Sequence, residues 1–497
     1  MKTLIFTFLV LITTYSSASC EFYDSANLPA IGLSDGLYLS LKTEQVCPGN
    51  VQELKAVLHK DGLTTLPSMV ANRGIHNPSR GSFSFFESVT GRSPKFTAPL
   101  NPGDFFFGHF TTAKSGLLDL DQGHQKGSLM IELIVWDFKK GYFNFYELIG
   151  TGAGSRWFYR GDSKDAFLDN KFLKRQSNPQ SPKFGRIMRC SACHNSGGPI
   201  MKELEFPHND WWSAQRPLPF GTNKPSVAVQ KEVAKLLDAS EFSSNVRKGI
   251  SRLEASASFK NFKKSLTLQE QLRPLFCTTE INIVSSEKPL SETGATVSSK
   301  SAFWVSRFLN SSPVSVRTEH YLAAARTLNL KFPESQGVDA DHPWLAPVKG
   351  YADDLAVSTL MKEGLIDVEF VSDVLAVDFK RPLFSKERCA LLSLVPLQRT
   401  NWQQAFLTNL GQASGPGAKK LLDNIMNPQK IRTHHQKEAM LYIEGLQHLA
   451  GTQEGVTQLL GVLDGTRTAV FEDEISKNPL GQILEPGFRV IFPSGVH

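Results

Sequence analysis

Beyond its first nineteen residues this 497-residue chain has no apolar run approaching the ~18 residues that a membrane-spanning helix needs. Charge of one sign is also scarce. With 54 Lys and Arg against 48 Asp and Glu, the net charge of +6 is too mild to imply a nucleic-acid surface, and no nucleic-acid motif accompanies it. Zincin pairs, nucleophile elbows, phosphate loops and the dinucleotide-binding glycine fingerprint are all missing, so the common hydrolase and nucleotide-dependent chemistries lose their sequence signatures. No repeat of solenoid period runs through the chain. Cysteine is sparse, with 6 in all, which makes the position of each one informative.

What is present describes a well-filled globular protein. Hydrophobic residues make up 41% and charged residues 21%, with 34 Phe, which excludes a disordered chain. The length suits two to four domains of ~100–200 residues each. The first half reads as β-rich. Residues 129–136 and 142–149 are runs of branched and aromatic residues joined by Asp137-Phe138-Lys139-Lys140-Gly141, which predicts a hairpin. Both faces of that hairpin are apolar, so it is expected inside a sheet covered on both sides. Shorter strand candidates lie at 82–86, 105–112 and 156–159. After about residue 180 the period becomes helical, with helices expected at 226–237, 241–253, 318–328, 353–362, 367–377, 385–394 and 433–450. Gly364 is placed as a C-cap, and Asp367 and Ser385 as N-caps. Polar loops are expected at 284–300 and 331–350. The fold class is therefore α+β: a β-rich part over 20–180, a connecting segment over 181–225, and a helical part over 226–497.

The N-terminus has the form of a secretory signal peptide over 1–19: Lys2, an apolar stretch from Leu4 to Ile12, then Ser16-Ser17-Ala18-Ser19 as a cleavage site. This points to a periplasmic or secreted protein with no transmembrane segment after cleavage. Cys20, Cys47, Cys277 and Cys389 form an even set that can close two disulfides in such a compartment. Sequence proximity favours Cys20–Cys47 and Cys277–Cys389, although four cysteines allow three connectivities. A competing expectation makes Cys20 the lipidated first residue of a lipoprotein, which would leave Cys47 without a partner.

The remaining two cysteines belong to Cys190-Ser191-Ala192-Cys193-His194. On one helical turn the thiols stand at i and i+3 and the imidazole at i+4, so all three face one side. Chance produces this pattern in roughly one such chain in several hundred. Ser181 and Pro182 can start the helix as N-cap and N1, Phe184, Ile187 and Met188 give it an apolar stripe, and Gly197-Gly198-Pro199 ends it. The stretch from Met188 to Pro199 resembles the cytochrome c family, and the whole chain is similar to large bacterial proteins that carry one cytochrome c motif in mid-chain. The resemblance implies one covalent haem c, with thioethers at Cys190 and Cys193 and proximal ligation of the iron by His194. Its specific part covers only 20–30 residues. A disulfide or zinc site at the two thiols is the competing use, but a zinc site lacks a second cysteine pair.

The chain departs from small electron carriers at the sixth ligand. Met201, His208, Met130 and His109 are the candidates, and an open site is the other option. Seven basic residues from Lys171 to Lys202, with no Asp or Glu among them, read either as a rim that steers an acidic redox partner or as neutralisers of the haem propionates. Trp211 and Trp212 are expected to line the haem pocket or, more simply, to fill a core. Asp339, Asp341 and His342 make a weak metal triad, and the adjacent His434 and His435 point about 100° apart on a helix. No second Cys-x-x-Cys-His exists, which argues against an enzyme that relays electrons between two covalent haems. Two functional expectations follow: an exported monohaem cytochrome that transfers electrons by Fe(II)/Fe(III) cycling, or a peroxidase-like haem oxidoreductase in which the extra protein builds a substrate pocket.

Overall fold

Strands whose side chains are apolar at both parities must be buried on both faces, and the first half of the chain does this with one sheet between two helical layers. The computed structural model describes residues 20–24, 26–71, 83–114, 117–120, 123–168, 194, 196–200, 224–277, 281–283, 295–298, 313–329, 347–349, 351–378, 385–459 and 461. Its strands before residue 163 are β1 (Phe22–Tyr23), β2 (Leu63–Ala71), β3 (Phe83–Gly91), β4 (Phe105–Phe110), β5 (Thr112–Lys114), β6 (Leu117–Asp119), β7 (Leu129–Asp137), β8 (Tyr142–Gly150) and β9 (Ser155–Asp162). Seven of these form one sheet in the order β1-β9-β8-β7-β4-β3-β2. The β1–β9 pair is parallel and the other neighbours are antiparallel. A helix-dominated part follows, so the molecule is α+β as its patterning implies.

The expected hairpin is the centre of the sheet. β7 and β8 pair from Asp137 opposite Tyr142, and Asp137 Oδ1 accepts the N–H groups of Lys139 and Lys140 at 3.0 Å each. Gly141 closes the turn at φ +76°, a conformation that glycine adopts without steric cost. Two strands go beyond the sequence reading. β3 continues past residue 86 through Glu87 and Ser88, because both polar side chains are buried. β2 contains Pro67, which suits an edge strand because proline has no N–H to donate.

On one face of the sheet Phe85, Phe107, Leu133 and Leu148 pack beneath Leu37 of the Gly36–Leu41 helix and Leu54 and Leu58 of the Val51–Lys60 helix. On the other, Phe106, Trp136, Phe143 and Phe145 meet Phe242, Val246, Ile250 and Leu253 of the Ala239–Ala255 helix. The sheet's own core thus extends past residue 226 and recruits helices from the second half of the chain.

A third core joins the helices Leu268–Phe276, Tyr351–Lys362, Val368–Leu375, Trp402–Gln412 and Pro416–Met426. Asp367 and Ser385 cap as expected, accepting from the N–H groups of Phe370 and Arg388. Gly364, at φ +71°, follows Lys362. The Leu268–Phe276 helix has a capping box from Thr267 and Glu270, yet Pro274 lies inside it and disguises it in sequence.

The disulfides are Cys20–Cys47 and Cys277–Cys389, the connectivity that proximity favours. The first pairing occupies the Cys20 sulfur that lipidation would need. The second spans 112 residues inside the helical part. Cross-links over long loops restrict the unfolded chain most, so Cys277→Ser/Cys389→Ser is expected to lose about 2–4 kcal/mol of stability, read as a lower urea midpoint.

Candidate functional site

Cys190, Cys193, the helix expected around them, the basic run 171–193 with Lys202, and Met201, His208, Trp211 and Trp212 lie outside the described residues, as do Asp339, Asp341 and His342. His194 and the turn after it are described, and the site is built from them. His194 is half-buried, with its ring tilted 55° against Phe145 of β8 at a centroid separation of 5.2 Å. Its carbonyl accepts the N–H of Gly197, closing the turn at 2.8 Å. Its Nδ1 lies 2.8 Å from the Gly198 carbonyl oxygen. A carbonyl oxygen only accepts, so Nδ1 carries the proton, and in the neutral form of the ring the lone pair would then be on Nε2. A backbone carbonyl bound to one imidazole nitrogen is the usual means of orienting the other toward a metal.

The turn is held by close backbone approach. Gly197 has φ +80°, and a Cβ there would stand 2.4 Å from the Ser163 carbonyl oxygen. Ser163 opens the Ser163–Leu168 helix, and its Oγ accepts the Phe143 N–H at 2.9 Å, tying the turn back to β8. Across the turn, the Ala239–Ala255 helix has a notch at Gly249. A Cβ there would lie 2.7 Å from Pro199 Cγ and 2.6 Å from the Gly103 carbonyl oxygen. Gly197→Ala meets both a left-handed backbone and a rigid carbonyl, and is expected to cost about 2–3 kcal/mol in chemical unfolding. Gly198→Ala, whose new methyl faces the flexible Leu253 side chain at 3.3 Å, should cost clearly less.

Two of the four candidate sixth ligands are placed. His109 and Met130 both belong to the face of the sheet that packs under the Gly36–Leu41 and Val51–Lys60 helices, whereas Phe145 and His194 are on the opposite face. His109 stacks on Phe85 and Phe107, and its Nε2 is 2.9 Å from Oε1 of Glu87. The same carboxylate oxygen receives Lys55 Nζ at 2.8 Å, and Lys55 also reaches Glu232 at 2.6 Å. His109 and Met130 therefore face away from the imidazole they would complement. Burial pushes the Glu87 carboxyl up, but the His109 hydrogen bond and the Lys55 charge outweigh it and hold it below the ordinary carboxylate value.

Of the paired histidines, His434 is exposed, while His435 is buried with Nε2 on Asn424 Oδ1 at 2.9 Å and Nδ1 near Glu438. Among the described residues no group of three or more His, Cys, Asp or Glu side chains could hold a metal ion. No helix of the described residues is long and apolar enough to cross a membrane.

Residues that sequence reasoning missed surround the turn: Phe145, Ser163, Gly103 and Gly249 come from four separate segments. Only Gly249 carries a local hint, as a glycine inside an otherwise regular helix. Compared with known proteins, the chain has no matching family model, no matching curated protein and no matching solved structure.

Proposed function

We propose that this chain is an exported c-type cytochrome that carries one covalent haem and transfers electrons. The observation that carries the reading is the His194 imidazole, whose Nδ1 proton is committed to Gly198 by a turn that favours glycine at 197. That arrangement suits an axial ligand to iron, and it follows directly on two thiols at the spacing of thioether attachment. The residues present thus fit the group. Cys190 and Cys193 would hold the porphyrin, and His194 would supply its proximal nitrogen. When bound, haem supplies reversible one-electron Fe(II)/Fe(III) chemistry. The chain's own residues orient and shield: Phe145 packs against the imidazole, and Ser163 and the Gly249 notch keep the turn from shifting.

Two disulfides agree with an oxidising compartment, the setting that the N-terminal signal also suggests. The basic run Lys171–Lys202 is assigned to steering an acidic redox partner. With His109 and Met130 on the far face, Met201, His208 or an open position remains for the sixth site. The deciding measurement is a pyridine haemochrome spectrum of the full chain exported from a host with cytochrome c maturation. The expected result is a thioether-type spectrum that survives denaturation and acid–acetone extraction. Colourless protein with the mass of the bare processed chain would overturn the proposal.

A further inference from the structure

Ser196, two residues beyond His194, lines a cleft whose other walls are Phe167, Pro274, Ala356 and the guanidinium-bearing Arg273. Arg273 is 1% exposed, and its Nε and Nη1 have no hydrogen-bond partner. Its guanidinium carbon sits 5.0 Å from the Phe167 ring centroid. A guanidinium stays charged in proteins, so the three N–H donors on these two nitrogens are held dry without a hydrogen bond, a cost that the nearby Asp353 carboxylate offsets only through its charge. Burial lowers the Arg273 pKa, and the carboxylates of Asp353 and Glu270 offset this only in part.

Among the other charges around the cleft, Asp353 is buried beside Arg273 and Glu363 is exposed on the lining, so the walls carry negative as well as positive charge. Lys263 pairs with Glu254 at 2.8 Å, Arg399 hydrogen-bonds Gln271, and Glu270 closes the capping box with Thr267. Lys260 and Lys264 are exposed at the mouth, where they favour approach of an anion. The cavity holds ≈ 40 Å³, room for about three waters. That is room enough for a carboxylate group, and a planar two-oxygen acceptor matches the guanidinium fork.

We propose that this cleft is a carboxylate-binding site, with Arg273 as the buried anchor and Lys260 and Lys264 as its entrance charges. The assignment does not require haem. The carboxylate has two sources of the same chemistry: a propionate of a haem bound beside Ser196, or a free small organic acid.

The test uses the full chain exported from a host without cytochrome c maturation, so that disulfides form and haem is absent. Sodium acetate is the probe, with sodium chloride at matched ionic strength as control and sodium phosphate as a tetrahedral competitor. Saturating acetate is expected to raise the thermal midpoint by about 2–4 °C over chloride. Arg273→Met, which keeps the apolar stem and removes the charge, should abolish that rise. Ala356→Leu, which fills the cavity with the guanidinium intact, should do the same and serves if the first variant does not fold. No acetate-specific rise in the wild-type protein, a larger rise with phosphate, or an undiminished rise in either variant would overturn the assignment. Haem-loaded protein then separates the sources: a lost acetate response identifies a propionate as the occupant, and a retained response identifies a free acid. Failure of haem loading leaves the acetate experiment untouched, so the two readings fail separately.

Discussion

Cys190→Ala/Cys193→Ala protein, exported from a host with cytochrome c maturation, is expected to emerge without covalent haem. Each thioether needs its own sulfur, so on the proposed reading removing both would leave only the coordination bond through His194, which denaturation and acid–acetone extraction would break. The measurement is haem stain on a denaturing gel together with intact mass, wild type against variant. His194→Ala separates attachment from ligation. Its thioethers should still form, so the stain persists, while loss of the proximal nitrogen changes spin state and reduction potential. Persistent covalent haem in the double-cysteine protein would sink the assignment of those residues. An unchanged visible spectrum in His194→Ala would sink the assignment of that ligand.

Glu87→Ala is expected to cost about 3 kcal/mol, because it strips a buried histidine of its acceptor and a half-buried lysine, which keeps Glu232, of one of its two carboxylates. Glu87→Gln, which keeps an acceptor for His109 but loses the charge that faces Lys55, should cost less. The pH dependence follows from the direction of the shift. A carboxyl held below its ordinary value of 4.5 binds fewer protons folded than unfolded near that pH. Its contribution is therefore fully present above pH 4.5 and is lost as pH falls through the lower folded value. Urea midpoints from pH 6 down to pH 3 should drop less steeply for Glu87→Gln than for the wild type. Parallel curves would show that the carboxylate is not ionised as described.

What could be read in advance divides by the range of the interactions responsible. The β7–β8 hairpin was legible because its branched runs, Asp137 and Gly141 act within a few residues of one another. β2 and β3 were not fully legible. Pro67 and Glu87 look like strand breakers until the edge position of one and the Lys55–His109 partners of the other are known. The Leu268–Phe276 helix was obscured by Pro274, although its capping box stood in the sequence. The Trp402–Gln412 and Pro416–Met426 helices also escaped periodicity, the second despite a proline at its start.

The candidate site shows the same division. Spacing alone leads to the expectation that two thiols and an imidazole share one helical turn, and it marks Gly197-Gly198-Pro199 as a turn, of which the His194–Gly197 closure is described. The chain by itself also determines an α+β plan, since the residue pattern changes period near residue 180. Tertiary structure alone decides that His194 meets Phe145 while His109 and Met130 lie across the sheet, because strand parity has meaning only once register and the covering helices are set. It also decides that an arginine in a short helix lines a cleft beside Ser196, a proximity made by segments scattered from residue 167 to residue 399.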